Sequence, residues 1–283
     1  MKLSWRELKE RAAQARERYA RCDLCAHRCL VDRTGGPAGI CREGDGLWLA
    51  SAGIHRGEEP QLVPSGLILI AGCNLSCQSC ETWQFSIERR LAVAVSPAEL
   101  AALLLDLQQR GAANANFVTP THVLPALLEG LALAAEHGFS LPVVWNCGGY
   151  ESVEALRLLD GVVDVYLPDA KYGDDAAAWE LSGCKRYTGA LRESLEEMHR
   201  QAEVIVRHLV LPAGVAAPEK LMPLIAEVSP DLCVNVLSQY RPVYRASRFP
   251  VVARGVTDAE VGAAVAAARG AGLRRVLVDG RAA

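Results

Sequence analysis

The chain has 283 residues, room for one large domain and a small appendage. Hydrophobic residues make up 51% and charged residues 22%, an ordinary globular composition, and a net charge of -3 gives no sign of a nucleic-acid partner. No stretch is apolar for long enough to span a bilayer, and Trp5, Arg6 and Glu7 stand where a secretory signal needs an apolar core. A cytoplasmic protein is expected, in which 10 cysteines argue for metal or cluster ligation rather than disulfides.

Residues 4 to 20 read as an amphipathic helix. Ser4 is its N-cap, with Glu7 three residues on completing a capping-box pattern. Its basic residues (Arg6, Lys9, Arg11, Arg16, Arg18, Arg21) are interleaved with Glu7, Glu10 and Glu17, the pattern of a solvated face. Cys22, Cys25, Cys29 and Cys41 follow around a turn-rich loop holding Gly35, Gly36, Pro37 and Gly39. Four thiols in 20 residues predict a second metal site. Structural zinc is the favoured occupant, because a closed four-cysteine set suits it and a small loop-rich segment gains shape from a metal. An auxiliary iron–sulfur cluster is the alternative. His27 reads as a surface histidine rather than a substitute ligand. Residues 1–66 are taken as an N-terminal helix and Cys-rich metal-binding segment, and residues 67–283 as the main domain.

The main domain opens on Leu67–Ile70, a short apolar run read as a buried strand, with Ala71-Gly72 as its turn. Directly after come Cys73, Cys77 and Cys80, spaced Cys-x3-Cys-x2-Cys. Three soft thiolates in one tight loop are what an iron–sulfur cluster needs from its protein. A 4Fe–4S cube has one iron more than this loop has thiols, so one iron is open to another ligand. A zinc knuckle wants a fourth ligand, and buried cysteines have no reason to take this spacing after a strand. Cys73, Cys77 and Cys80 are therefore both the metal ligands and the catalytic residues of this reading. Trp83-Gln84-Phe85 is placed to shield the cluster from water. The triad resembles the signature of radical S-adenosylmethionine (SAM) enzymes, in which the open iron binds the amino and carboxylate groups of SAM.

The rest of the chain alternates β-branched runs with helical patterns, which implies a parallel sheet wrapped by helices. Strands are expected at 67–70, 114–118, 142–146, 163–167, 204–211, 232–237 and 274–278. Helices are expected at 97–110, 122–137, 151–159, 174–182, 190–201, 218–228 and 257–270. Ser96-Pro97-Ala98-Glu99 is a helix start, and Gly111 and Gly138 are helix stops. Six or seven such units predict an α/β fold, a partial or open TIM-like barrel rather than a full eight-fold one. Polar residues recur at the strand ends, which meet on one rim of a barrel. Beside SAM, backbone groups at Thr119 can hold the methionyl ammonium, and Asn146 and Gln239 can bond ribose hydroxyls and carboxylates. Asp169 and Lys171, two apart on an extended segment, point the same way and can pair across the ligand. Arg207 and His208 alternate on their strand, so one faces the interior, and Arg207 is preferred. His122 is balanced between packing and function. Cys147, Cys184 and Cys233 read as buried small hydrophobes.

Taken together, Cys22-Asp23-Leu24-Cys25, Cys73…Cys77…Cys80, Asn116-Phe117-Val118-Thr119-Pro120-Thr121-His122, Trp145-Asn146-Cys147-Gly148-Gly149-Tyr150, Tyr166-Leu167-Pro168-Asp169-Ala170-Lys171-Tyr172, Arg207-His208-Leu209-Val210-Leu211-Pro212 and Ser238-Gln239-Tyr240-Arg241-Pro242 resemble the PflX-type radical SAM proteins, relatives of the pyruvate formate-lyase activating enzyme. The resemblance runs from about residue 20 to the end. It implies a partial (β/α)6 radical SAM barrel, one SAM-binding 4Fe–4S cluster, and hydrogen-atom abstraction by a 5′-deoxyadenosyl radical, from glycine of a partner protein in the activating enzymes. It further implies a one-electron donor such as flavodoxin or ferredoxin, with Asn146, Asp169 and Lys171 matching positions that contact SAM or substrate. Two segments depart from the pattern. Val118-Thr119-Pro120 replaces a Gly-Gly-Glu segment, and Glu81-Thr82 replaces the usual Gln-Asn after the last cysteine. The reacting group therefore does not carry over. Modification of another peptide or a small molecule is the alternative reaction, and a non-catalytic cluster or zinc scaffold is the alternative class.

Overall fold

A computed structural model describes residues 2–57 and 59–283. The chain begins with helix α1 (Trp5–Glu17), whose capping box is formed: Glu7 N–H donates to Ser4 Oγ and the Ser4 N–H to the Glu7 carboxylate. Leu8, Ala12 and Ala15 fall on one face of α1 and are buried. The cysteine-bearing loop follows, then strand β1 (Leu47–His55) and strand β2 (Ser65–Ile70). Beyond the second cysteine loop come the one-turn helix α2 (Trp83–Ser86), strand β3 (Val93–Val95) and helix α3 (Pro97–Gln109), again with a formed capping box, Ser96 with Glu99. The repeating part then runs β4 (Asn114–Val118), α4 (Leu124–Glu136), β5 (Val143–Cys147), α5 (Val153–Arg157), β6 (Val165–Pro168), α6 (Asp175–Ser182), α7 (Tyr187–Gln201), β7 (Glu203–Leu209), α8 (Pro218–Val228), β8 (Cys233–Leu237), α9 (Asp258–Gly270), β9 (Arg275–Val278) and β10 (Arg281–Ala282).

Among the described residues the strands form one ten-stranded sheet, ordered β10-β9-β8-β7-β6-β5-β4-β2-β1-β3. The stretch from β2 to β9 is parallel throughout, whereas β1, β3 and β10 add on antiparallel. All seven expected strands form, within a few residues of their expected bounds. The unforeseen β1 is rich in Ala, Ser and Gly and lacks the β-branched run that marks the others. It lies within 1–66 and pairs with β2, so the sheet runs across residue 66. The expected helix at 122–137 begins with a 3₁₀ turn over Thr121–Val123, and the one expected from 190 already starts at Tyr187.

Strand alternation assigns the two faces of the sheet different work. Ile68, Phe117, Trp145, Tyr166, Val206 and Val234 are buried in the main core with Leu104, Leu127 and Leu191 of the covering helices. The opposite face carries a smaller apolar layer, Leu62, Val144, Leu167, Ile205 and Cys233. Two residues further along three of these strands stand Asn146, Asp169 and Arg207. The apolar layer is thus a floor, and the polar groups above it sit toward the strands' carboxyl ends.

Candidate active site

The cavity above this floor has a volume of about 330 Å³. Cys73, Cys77 and Cys80 line it together with Thr119, Asn146, Asp169, Lys171, Arg207 and Gln239. Every residue that the strand-end argument selected for a ligand therefore reaches one space.

Local chemistry shapes the cysteine loop at the end of β2. Gly72 has φ +84°, and a Cβ there would run into the Glu43 carboxylate and, at 2.7 Å, into His122 Nε2. Only glycine fits the turn that launches the loop. The loop backbone is then tied to the end of α6: Ser76 N–H donates to Ser182 O at 3.0 Å and Gln78 N–H to Leu181 O at 2.8 Å. Each sulfur also has a polar neighbour. Leu75 N–H donates to Cys73 Sγ at 3.3 Å, Ser182 O–H donates to Cys77 Sγ at 3.1 Å, and Cys80 Sγ lies 3.1 Å from Ser86 Oγ. Such contacts tune cluster sulfurs. Burial pushes the Cys73 thiol well above its ordinary range, and Cys77 raises it further. Burial also raises Cys77, opposed by the Lys171 ammonium. Three thiols on one cavity become thiolates when a cation binds them, the donor chemistry of an iron–sulfur cluster. Among the described residues no three His, Cys, Asp or Glu side chains converge as the ligands of one ion. A cluster suits three thiols of one loop, since each of its irons takes one thiolate.

Opposite the loop, Asp169 holds two cations. Arg207 Nε and Nη2 donate to its Oδ1 at 2.9 and 2.8 Å, and Lys171 Nζ to its Oδ2 at 2.6 Å. A backbone bridge between Asp169 and Arg207 sets this register across β6 and β7. Burial pushes the Asp169 carboxyl up, but Arg207 and Lys171 outweigh it and hold the group below the usual carboxylate range. Burial disfavours the Lys171 ammonium, yet Asp169 and then Cys77 outweigh it and raise its pKa. Tyr187 steadies the segment, accepting from Lys171 N–H at 2.9 Å and donating to Asp169 O at 3.0 Å.

Thr119 is a β-branched residue at φ +63°, a conformation that costs energy outside glycine. Its N–H already donates to Asn146 O at 2.8 Å. The backbone group left to hold an ammonium is its carbonyl. Arg207 lines the cavity while His208 is buried with Nδ1 2.9 Å from Ala170 O, as strand alternation requires. His122 is packed: Nε2 lies 2.9 Å from Ala71 O, and burial lowers its pKa to about 3, so the ring is neutral. Glu81 and Thr82 line the cavity, whereas Trp83 stacks on Tyr244 with centroids 5.4 Å apart. Shielding by the aromatic tail is thereby replaced by a polar wall. Cys147 is buried, as expected, but it also borders the cavity.

Asn116 was not singled out by the strand-end argument, which looked past the last strand residue. It projects from within β4 into the cavity, and its buried Oδ1 has no hydrogen-bond partner among the described residues. A buried acceptor left unpaired at a cavity wall is a place for a ligand donor. Its alternation with Asn114 in an otherwise apolar strand was the readable signal.

The four cysteines of the N-terminal segment, Cys22, Cys25, Cys29 and Cys41, line a second, much smaller cavity. His27 is no surface histidine. It borders that cavity, stands edge-on to Tyr150 at 4.8 Å, and places Nε2 2.9 Å from Asn74 O, beside Cys73.

Comparison with known proteins supports the fold and gives a kinship. Uncharacterized protein MJ0674 of Methanocaldococcus jannaschii is 34% identical over 256 residues, spanning 87% of this chain and 74% of that protein. The chain belongs to the family of that protein. No protein-family model matches. The fold is similar to the crystal structure of HydG, a maturase of the [FeFe]-hydrogenase, with a TM-score of 0.52 and 14% identity. That match covers 73% of this chain and 49% of HydG, so the chain spans about half of HydG's length. The shared feature is a mixed α/β fold with a central sheet. Among the described residues no helix is long and apolar enough to cross a membrane.

Proposed function

We propose that this chain is a radical SAM enzyme with a half-open barrel, of the PflX type suggested by its motifs. The observation that supports this most is the cavity itself: three thiols of one loop face a carboxylate that holds two cations, above an apolar floor. In this reading Cys73, Cys77 and Cys80 hold a 4Fe–4S cluster that, when bound, supplies one electron to the SAM sulfonium and so yields a 5′-deoxyadenosyl radical able to take a hydrogen atom.

The protein's own groups bind and orient. Lys171 and Arg207 meet the carboxylate of SAM or of the substrate, and Asp169 fixes both cations so that little rotamer entropy remains to be lost on binding. The Thr119 carbonyl accepts from the ammonium, and Asn146, Asn116 and Gln239 take ribose and base donors. The floor of Leu62, Val144, Leu167, Ile205 and Cys233 closes the cavity to water from below. Glu81 and Thr82 border the reacting face and set what is admitted there. A one-electron donor of the flavodoxin or ferredoxin class supplies the electron.

Anaerobic incubation of reconstituted protein with SAM and dithionite tests the reading. Release of 5′-deoxyadenosine is expected, and its complete absence would leave a non-catalytic scaffold. The hydrogen donor is proposed to be glycine in a partner protein. Deuterium passing from that glycine into 5′-deoxyadenosine supports this, whereas a stable altered peptide or small molecule assigns the other reaction.

A further inference from the structure

A concentration of positive charge borders the loop of Cys73, Cys77 and Cys80 from outside the cavity. From 238 to 256 the chain holds Arg241, Arg245, Arg248 and Arg254 and no Asp or Glu, although the whole chain has a net charge of -3. Arg254 is paired, donating to both carboxylate oxygens of Glu260. Arg241, Arg245 and Arg248 are exposed, and among the described residues no carboxylate pairs with them. Short backbone bonds coil the segment: Val243 N–H donates to Arg241 O at 2.9 Å, Ala246 N–H to Val243 O at 3.1 Å and Arg248 N–H to Arg245 O at 2.9 Å. Three like charges are thereby held together with only solvent to balance them, a field that attracts an anionic partner.

This segment is joined to the cysteine loop. Arg245 N–H donates to Gln78 O at 2.9 Å, and Gln78 directly follows Cys77. Tyr244 stacks on Trp83, three residues past Cys80, with centroids 5.4 Å apart. The Arg245 guanidinium lies over the Tyr244 ring at 4.9 Å and that of Arg90 over Trp83 at 5.6 Å. None of Arg241, Tyr244, Arg245, Arg248, Gln78 and Trp83 lines the large cavity. An electron for the group held by Cys73, Cys77 and Cys80 has to arrive while SAM and substrate fill that cavity, so its source docks outside it. We propose that Arg241, Arg245 and Arg248, with Tyr244 and Trp83, form the docking surface for the acidic face of a one-electron donor protein. The donor is oxidised by one electron, and the group on the cysteine loop is reduced by it. This deepens the radical SAM reading and takes its purpose from it. Arginine and aromatic side chains are the types enriched at interfaces, and exposed charge pairs speed encounter while leaving the complex free to part after transfer. A small patch of this kind suits a transient redox partner.

The test uses the full chain, reconstituted anaerobically, with a flavodoxin as the probe. Binding of oxidised flavodoxin is read by titration calorimetry at low salt. Electron delivery is read as 5′-deoxyadenosine formed with photoreduced flavodoxin, set against that formed with dithionite. The chain carrying Arg241→Glu, Arg245→Glu and Arg248→Glu is expected to bind flavodoxin on the order of 100-fold more weakly, with a matching fall in flavodoxin-driven cleavage. Its dithionite-driven rate is expected to stay at the wild-type value. Unchanged binding in this variant, or an equal fall with dithionite, overturns the proposal. Arg245→Glu alone is expected to weaken binding more than Lys9→Glu, which makes the same change in net charge on exposed α1. Equal losses overturn the proposal too, because total charge rather than this patch would then attract the donor. If the triple variant does not fold, Arg241→Gln with Arg248→Gln carries the same comparison. Flavodoxin binding is measured whether or not SAM is cleaved. An arginine-dependent complex without 5′-deoxyadenosine would therefore sink the radical SAM reading and leave the docking surface standing.

Discussion

Two cysteine loops lie on either side of Asn74 and Tyr150, and they are built for different ends. The loop of Cys73, Cys77 and Cys80 opens onto a cavity of about 330 Å³, with an ammonium and a guanidinium across from it. The loop of Cys22, Cys25, Cys29 and Cys41 closes on about 10 Å³, with a single buried guanidinium among backbone carbonyls. One has a thiol fewer than a cube has irons and room for a substrate. The other has four free thiols around the space of about one water-sized sphere. Free volume separates the two loops: only the first has space beside its thiols for a substrate.

The sharpest way to break this comparison is to remove one sulfur from each loop. Cys77→Ala is expected to abolish SAM cleavage, measured as 5′-deoxyadenosine release, while circular dichroism shows an intact fold. Cys25→Ala is expected to retain SAM cleavage at a reduced level and to lower the melting temperature. Retained cleavage in Cys77→Ala would refute the assignment of the open site, and equal effects in both variants would erase the distinction. A smaller loss is expected for Asp169→Asn, about 100-fold in SAM cleavage, because both Lys171 and Arg207 lose their fixed position. Arg33→Met should leave that rate within severalfold of the wild type.

How much of this was readable beforehand depended on where each signal lies. The seven parallel strands were legible because their apolar runs are β-branched and flanked by turns. Their carboxyl-end residues, Thr119, Asn146, Asp169, Lys171, Arg207 and Gln239, were legible because the fold's geometry sends strand ends to one rim. Strand β1 was not, since Ala50, Ser51, Ala52 and Gly53 carry almost no strand propensity and owe their state to pairing with β2. Asn116 was hidden within a strand, where a polar side chain looks like an exception rather than a wall. Arg33 was invisible for another reason. Sequence showed an ordinary basic residue, and only burial against Cys22 made its charge informative.

Glu151 joins the two regions and offers a titration. Its backbone bridges to Cys25, and its carboxylate accepts from Thr121 Oγ1 at 2.9 Å. Burial raises this carboxyl from 4.5 to about 7, against the lowering effect of Thr121. The folded state therefore holds the proton more tightly than the unfolded one. The stability from this group is complete below about pH 4.5 and is lost as the pH rises to about 7, after which it levels off. The loss is on the order of 3 kcal/mol. Glu151→Gln should remove it, so urea midpoints at pH 5 and pH 8 should converge in the variant and diverge in the wild type. Equal divergence in both would move the pH dependence elsewhere.

The smallest effect sharpens the comparison most, because it sets a neutral donor against a charged one. Cys77 Sγ receives a hydrogen bond from the Ser182 hydroxyl, whereas Cys22 Sγ receives one from the Arg33 guanidinium. A neutral hydrogen bond to a thiolate favours the reduced cluster by about 1 kcal/mol, which for one electron is about 40 mV. Ser182→Ala should therefore lower the potential of the open cluster by roughly that amount. Arg33 serves the other loop, so Arg33→Met should leave that potential unchanged. Redox titrations of the two variants, each in the full chain, measure both outcomes. An equal shift in both variants would mean that the Ser182 hydrogen bond does not set the potential of the open site.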